Sequence, residues 1–189
     1  MQPAPPYQAP RKGGFPTWAI VLLVVGGLVV VFGGIFAMLA VFGVRKYIAN
    51  AKTAEARNSV AQIAKDAASE YEEEQLDPRG KPTHRVCPSA TRSVPTSIAS
   101  VSGKKYQSAP GDWTVDAPTH AGFACLKYSM EAPQYYMYSY AATPTSFTAT
   151  AQGDLNADGV TSSFVLRGEV QPNGALQVEP NIQETNPAE

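Results

Sequence analysis

The chain has 189 residues and a formal net charge of −1, with 16 acidic and 15 basic side chains. A balance this close to neutral offers no basic face for a nucleic acid, so no nucleic-acid partner is expected. About 145 residues follow the long N-terminal apolar stretch, enough for one small domain with its own core.

Residues 1–14 form a proline-rich arm, with Pro3, Pro5, Pro6 and Pro10 ahead of Arg11-Lys12-Gly13-Gly14. Such a composition predicts a flexible arm ending in a basic, glycine-rich hinge. From Trp18 to Val44 every residue is apolar or glycine, and all the acidic residues of the chain come later. A membrane-spanning helix needs about 20 apolar residues, so residues 15–44 read as the transmembrane half of a helix. The surplus length can be absorbed by tilt or by packing against other copies. A cleaved secretory signal fits poorly, because signal cores run to roughly 7–15 residues before a small-x-small site. The formal match here, Ala49-Asn50-Ala51, lies beyond Arg45-Lys46. Within the run, Gly26, Gly33, Ala37 and Ala40 share one helical stripe. Small residues so placed allow close helix self-association in lipid, although glycine is also simply common in membrane helices.

No proline interrupts the passage from the oily run into residues 45–76, which read as the amphipathic half of the same helix. Ala56, Val60, Ile63, Ala67 and Tyr71 recur at spacings of three and four and predict a face that lies on a sheet. A helix of this whole span would be roughly 85 Å long. Glu72, Glu73 and Glu74 stand at its C-terminal end, where the helix dipole disfavours them, and Asp77-Pro78 and Gly80 are expected to stop it. Residues 77–122 read as a loop region broken by prolines, with a short strand or turn at Ser97–Val101.

Cys87 and Cys125 are the only cysteines. An even, minimal pair reads most simply as a disulfide in an oxidising compartment; the alternative is two buried free thiols. Charge counting points the other way, since Arg45, Lys46, Lys52, Arg57 and Lys65 follow the span and only Arg11 and Lys12 precede it. The positive-inside rule would keep the C-terminal side in the cytoplasm. The cysteine pair, the Ser/Thr/Tyr/Pro-rich composition of the domain and the shortness of the arm favour the opposite orientation, N-terminus inside and domain outside.

Residues 123–178 carry a period-two pattern that predicts an antiparallel meander. Strands are expected at Phe123–Ser129, Tyr135–Tyr140, Ser146–Ala151 and Ser162–Leu166, with an edge strand at Ala175–Val178 after the Asn173-Gly174 turn. Of the tyrosines Tyr135, Tyr136, Tyr138 and Tyr140, alternation sends two towards the helix and two outwards. Residues 179–189 read as a loose polar tail.

Together these elements give an α+β fold, a long N-terminal helix with a membrane half and an amphipathic half packed on an antiparallel meander. This arrangement resembles type IV pilins and pseudopilins. The segment Arg45-Lys46-Tyr47-Ile48-Ala49-Asn50-Ala51-Lys52-Thr53-Ala54-Glu55-Ala56 is similar to the pilin segment just past the apolar half-helix, and Phe147 to Gly153 with the following hairpin looks like myxobacterial pilin-like proteins. The resemblance implies a non-enzymatic structural protein of a bacterial envelope, a subunit or accessory of a type IV pilus or type II secretion-like filament. It implies a single pass through the inner membrane, a cytoplasmic N-terminus, a periplasmic or surface domain, and other copies or pilin-like subunits as partners. Arg11-Lys12-Gly13-Gly14-Phe15 has the look of a prepilin leader junction, with cleavage between Gly14 and Phe15. The pattern departs from the family in two ways: Pro16 follows, and Ala19 stands where pilins carry a Glu. Alignment through Tyr47-Ile48-Ala49 also places the pilin N-terminus near Val21. The alternative is a permanently anchored single-pass protein with an external binding domain and an uncleaved arm.

Asp154-Leu155-Asn156-Ala157-Asp158-Gly159 matches the first half of a calcium loop, with Asp154, Asn156 and Asp158 as candidate weak ligands. Val165 occupies the place of the closing Glu, and a plain hairpin turn explains the same residues. Otherwise no cofactor is expected. His84 and His120 lie in no metal spacing, and no nucleophile with a base partner is recognisable.

Overall fold

The computed structural model describes residues 2, 4, 14, 16–76 and 79–187, apart from the side chains at 41, 42, 45, 46 and 49. The chain is α+β and forms two compact units, Met1–Lys46 and Tyr47–Glu189. The boundary falls inside helix α1 (Thr17–Glu72).

In the first unit, Thr17–Ala40 is a stretch of 24 residues with mean hydropathy 2.9, and none of it is buried. At about 1.5 Å per residue it is about 36 Å long, against about 30 Å of bilayer hydrocarbon. Length and composition therefore suffice to cross a membrane, and it is the one such helix among the described residues. The helix opens directly after Pro16, whose carbonyl accepts the Ala19 N–H at 2.8 Å.

In the second unit the continuation of α1 supplies one side of the core. Ala56, Val60, Ile63 and Ala67 have no exposed surface and Tyr71 is 7% exposed, so the spacing of three and four marks the buried face as expected. The helix ends at Glu72 rather than continuing to residue 76. Gln75–Leu76 (β1) instead pairs with Pro82–Thr83 (β2) in a small hairpin. Asp77 and Pro78 lie outside the described residues. The crowded acidic end is partly relieved, because Lys127 Nζ reaches Glu70 at 2.7 Å and Glu73 at 3.5 Å.

Between the helix and the main sheet the chain makes only short pieces: a 3-10 turn at Ile98–Ser100, helix α2 (Pro110–Trp113), a 3-10 turn at Ala117–Thr119 and helix α3 (Gly122–Cys125). The first is capped by Ser97, whose hydroxyl accepts the Ala99 N–H at 3.3 Å, so Ser97–Val101 is a turn and not a strand. Helix α3 corrects the strand expected at Phe123–Ser129. Gly122 has φ +53°, and a Cβ there would lie 2.6 Å from Ala90 Cα, so glycine is required where the chain turns in. The apolar residues after it pack round Trp113, whose ring meets Phe123 at 5.0 Å and Tyr128 at 5.3 Å in edge-to-face contacts.

The main sheet is an antiparallel meander of β3 (Met137–Thr143), β4 (Ser146–Gly153) and β5 (Ser162–Val170), extended by β6 (Leu176–Val178). Alternation is strict in β4, where Phe147, Ala149, Ala151 and Gly153 face inwards. The tyrosine row divides differently from the expected two and two. Tyr136, Tyr138 and Tyr140 share one parity and are all buried, and Tyr135 stays half-buried. Gly168 pairs with Phe147 across the ladder, and a Cβ at Gly168 would run into the Phe147 ring. The aromatic lies over the strand glycine and covers its backbone.

The tail is a correction too. Gln183–Thr185 forms β7, which pairs with Ser163–Val165 of β5 along the edge that β6 uses further on. Arg57 holds it in place with a two-pronged pair to Glu184, 2.6 Å from Nε and 2.8 Å from Nη2. Thr53 Oγ1 donates to the Pro187 carbonyl at 3.1 Å. At the other end of the soluble half of α1, Tyr71 donates to the Gly174 carbonyl in the β5–β6 turn at 2.9 Å.

Candidate functional site

Three places in the second unit gather polar or reactive groups. The first is the disulfide. Cys87 and Cys125 are bonded, with their Cα atoms 5.9 Å apart, and each is 1% exposed. The bond is reinforced by its neighbours, since the Gly122 N–H donates to the Pro88 carbonyl at 2.9 Å. The buried Asp116 carboxylate accepts from Thr91 N–H at 3.0 Å and from Thr91 Oγ1 at 2.7 Å. Against this corner lies a cleft of about 560 Å³ whose lining includes Gln75, Arg85, Ser89, His120 and Thr143. Arg85 is steadied there by Gln75 Oε1 at 3.0 Å. His120 takes a left-handed backbone, φ 47°.

The second place is the loop between β4 and β5. Asp154 Oδ2 accepts from Ser102 Oγ at 2.8 Å and from the Gly159 N–H at 3.3 Å. The Ser102 hydroxyl, helped by backbone N–H groups of the loop, holds the Asp154 carboxyl below its ordinary range. Asn156 and Asp158 turn towards each other: Asn156 Nδ2 donates to Asp158 Oδ2 at 3.1 Å, and Asp158 Oδ1 accepts from the Val160 N–H at 2.8 Å. These are the bonds of a closed hairpin turn, with Ala157 at φ 62° and Gly159 at φ 88°. Among the described residues no three His, Cys, Asp or Glu side chains gather where they could hold a metal ion.

The third place surrounds Tyr135. Its ring is approached by Lys52 Nζ at 4.7 Å and by Lys105 Nζ at 4.9 Å from the centroid. Beneath it Glu55 Oε1 accepts from the Tyr135 N–H at 2.9 Å and from Tyr138 Oη at 3.0 Å. Burial pushes the Glu55 carboxyl up, against the pull of those two hydrogen bonds and the charge of Lys105. Burial first, and then the neighbouring Glu55 charge, push Tyr138 well above its ordinary value. No protein-family model, curated protein or solved structure matches the chain.

Of the residues singled out from sequence, the structure brings Cys87 and Cys125 together and gathers Asp154, Asn156 and Asp158 into one turn. It sets Gly26, Gly33, Ala37 and Ala40 on the exposed surface of α1. Open space surrounds the position of a Cβ at Gly26 and Gly33. Gly14 is exposed outside any helix or strand, and Phe15 lies outside the described residues. Sequence reasoning missed the Arg57–Glu184 pair and the Tyr135 cluster. Their members stand 127 and 80 positions apart, and nothing in either local pattern marks the partner.

Proposed function

We propose that the chain is a pilin-like structural protein of a bacterial envelope, a subunit or accessory of a filament of the type IV pilus or type II secretion kind. In this role it needs neither a cofactor nor catalysis. The supporting observation is the division of α1 into two kinds of surface: Thr17–Ala40 is apolar and unburied, whereas Ala56 to Ala67 form the core face of a disulfide-bonded α+β unit. The mechanism is helix bundling. The apolar halves leave lipid and pack against one another along the stripe of Gly26, Gly33, Ala37 and Ala40, and the α+β units are displayed outwards. Small residues let the backbones approach closely, so dispersion contacts replace those made with lipid tails. The N-terminus lies in the cytoplasm, and the disulfide-bonded unit faces the periplasm or the surface.

Replacing Gly33 and Ala37 by Leu tests the bundling. Self-association in membranes should fall, and unchanged association would remove the mechanism. A second reading, a permanently anchored protein with an external binding domain, is favoured by one observation: Ala19 stands where an assembling pilin carries its Glu. The intact mass of the protein from its native envelope separates the two. A chain starting at Phe15 supports processing and assembly, and one starting at Met1 or Gln2 supports the fixed anchor.

A further inference from the structure

We propose that the second unit docks onto anionic phospholipid headgroups through the basic and aromatic patch centred on Tyr135. Two ammonium groups lie close to the centroid of one half-buried ring, Lys52 from α1 at 4.7 Å and Lys105 from the loop after the first 3-10 turn at 4.9 Å. Lys104, exposed and next to Lys105 in the chain, adds a third positive charge to this segment. Among the described residues no carboxylate lies within ion-pair distance of any of the three lysines. Glu55 faces the cluster from α1, but its Oε1 is engaged by Tyr135 and Tyr138 and it offsets only one of the three charges. Like charges held at one ring repel, and an anionic surface laid against the patch offsets that repulsion. A tyrosine ring with cations on its surface suits the headgroup layer, where aromatic rings and basic side chains concentrate.

The choice of a lipid follows from the chain itself, and it rests on the reading that Thr17–Ala40 crosses a membrane. Only eight chain steps separate Lys52 from Val44, the end of the apolar run. Even fully extended they reach about 28 Å, less than the thickness of a bilayer's hydrocarbon core. The patch therefore stays within about 28 Å of the end of the apolar run whatever path the chain takes. Each lysine at an anionic surface strengthens binding by roughly fivefold, and salt screens the effect.

The test uses the full-length protein in lipid nanodiscs, either of phosphatidylcholine alone or of phosphatidylcholine with phosphatidylglycerol. Amine acetylation is followed residue by residue by mass spectrometry. Lys52, Lys104 and Lys105 should react at least about threefold more slowly in the anionic discs, and high salt should restore the rate. Lys65, exposed on α1, is the internal control and should not change. The double variant Lys104→Gln/Lys105→Gln alters only exposed side chains, and in it the protection of Lys52 should disappear. Equal rates in the two discs overturn the proposal, and so does equal slowing of Lys65. Inorganic phosphate added to neutral discs separates the sources. Protection by free phosphate as strong as that by lipid would mean an adventitious ion only, and would overturn docking. A chain that enters neither disc refutes the membrane-spanning reading, whereas one that enters both and reacts equally refutes docking alone.

Discussion

Removing the Cys87–Cys125 bond should cost the second unit between about a quarter and about four fifths of an ordinary domain's stability. The cross-link spans a sequence separation of 38 residues. In the chain-entropy account a loop of that length restricts the unfolded state by about 4 kcal/mol, set against the roughly 5–15 kcal/mol of a typical domain. A unit of about 140 residues unfolds with an entropy of about 0.3 kcal/mol/K, so the melting point should fall by about 13 °C. Cys87→Ala/Cys125→Ala is the appropriate variant, because two buried serines would add unpaired hydroxyls to a site that is 1% exposed. Near-ultraviolet circular dichroism of the detergent-solubilised protein reports on the transition, since Trp113 packs against Phe123, two residues from the bond. The reduced wild-type protein gives the second arm. Agreement with the double variant assigns the loss to the cross-link, and any further fall in the variant measures the packing of the two sulfurs. A shift below about 3 °C in both would refute the reasoning, since it would mean that the enclosed segment is already restricted in the unfolded chain.

Three other predictions follow from single contacts. Arg57 holds the Glu184 carboxyl below its ordinary range, so the stability this pair contributes is fully present above the unfolded carboxyl pKa and is lost as pH falls through the lower folded value. Being partly exposed, the pair should contribute only about 0.5 kcal/mol. The protection of the Gln183–Thr185 amides relative to their intrinsic exchange rates should fall by about twofold below about pH 4 in the wild type, and in Glu184→Gln it should stay at the lower value at every pH. Glu55 has the opposite sign: burial raises its carboxyl, so the folded state is penalised as pH rises above the unfolded pKa. Glu55→Gln keeps an acceptor for Tyr135 and Tyr138, and denaturant melts from pH 4 to pH 8 should show the variant gaining on the wild type as pH rises. Gly168→Ala should destabilise by about 1–3 kcal/mol, because its methyl must displace the Phe147 ring. Urea unfolding with an unchanged m-value checks that estimate.

What could be read in advance was whatever repeats over a short range. The face of α1 from Ala56 to Tyr71 was legible because five apolar residues keep one spacing, and β3 to β5 were legible because alternation survives for six or more residues. Phe123–Ser129 misled because Phe123 and Cys125 imitate a period of two over too few residues, whereas Gly122, a disulfide and Trp113 bend them into a turn. The tail misled for another reason. Gln183–Thr185 has three exposed residues and no apolar pattern. Its order comes from the free edge of β5 and from Arg57, which stands far away in sequence. The Tyr135 cluster was hidden in the same way, because Lys52, Lys105 and Tyr135 come from three separate segments.

The same contacts bear on orientation. Counted along the chain, five basic residues after the apolar run oppose two before it, and the count alone keeps the second unit in the cytoplasm. Two of the five have uses in the folded unit that are independent of topology: Arg57 clamps β7 and Lys52 caps Tyr135. A residue with a contact of its own in the folded unit can enter the count without having been placed by selection on insertion. The cysteine pair carries the contrary weight, since a cytosolic pool of thiols keeps such pairs reduced. Acid quenching of intact cells followed by alkylation with a thiol reagent decides between them. With the unit outside the cytoplasm, no adduct should form before reduction and two should form after it. Two adducts without reduction would place the unit in the cytoplasm, and the charge count would then be the better guide.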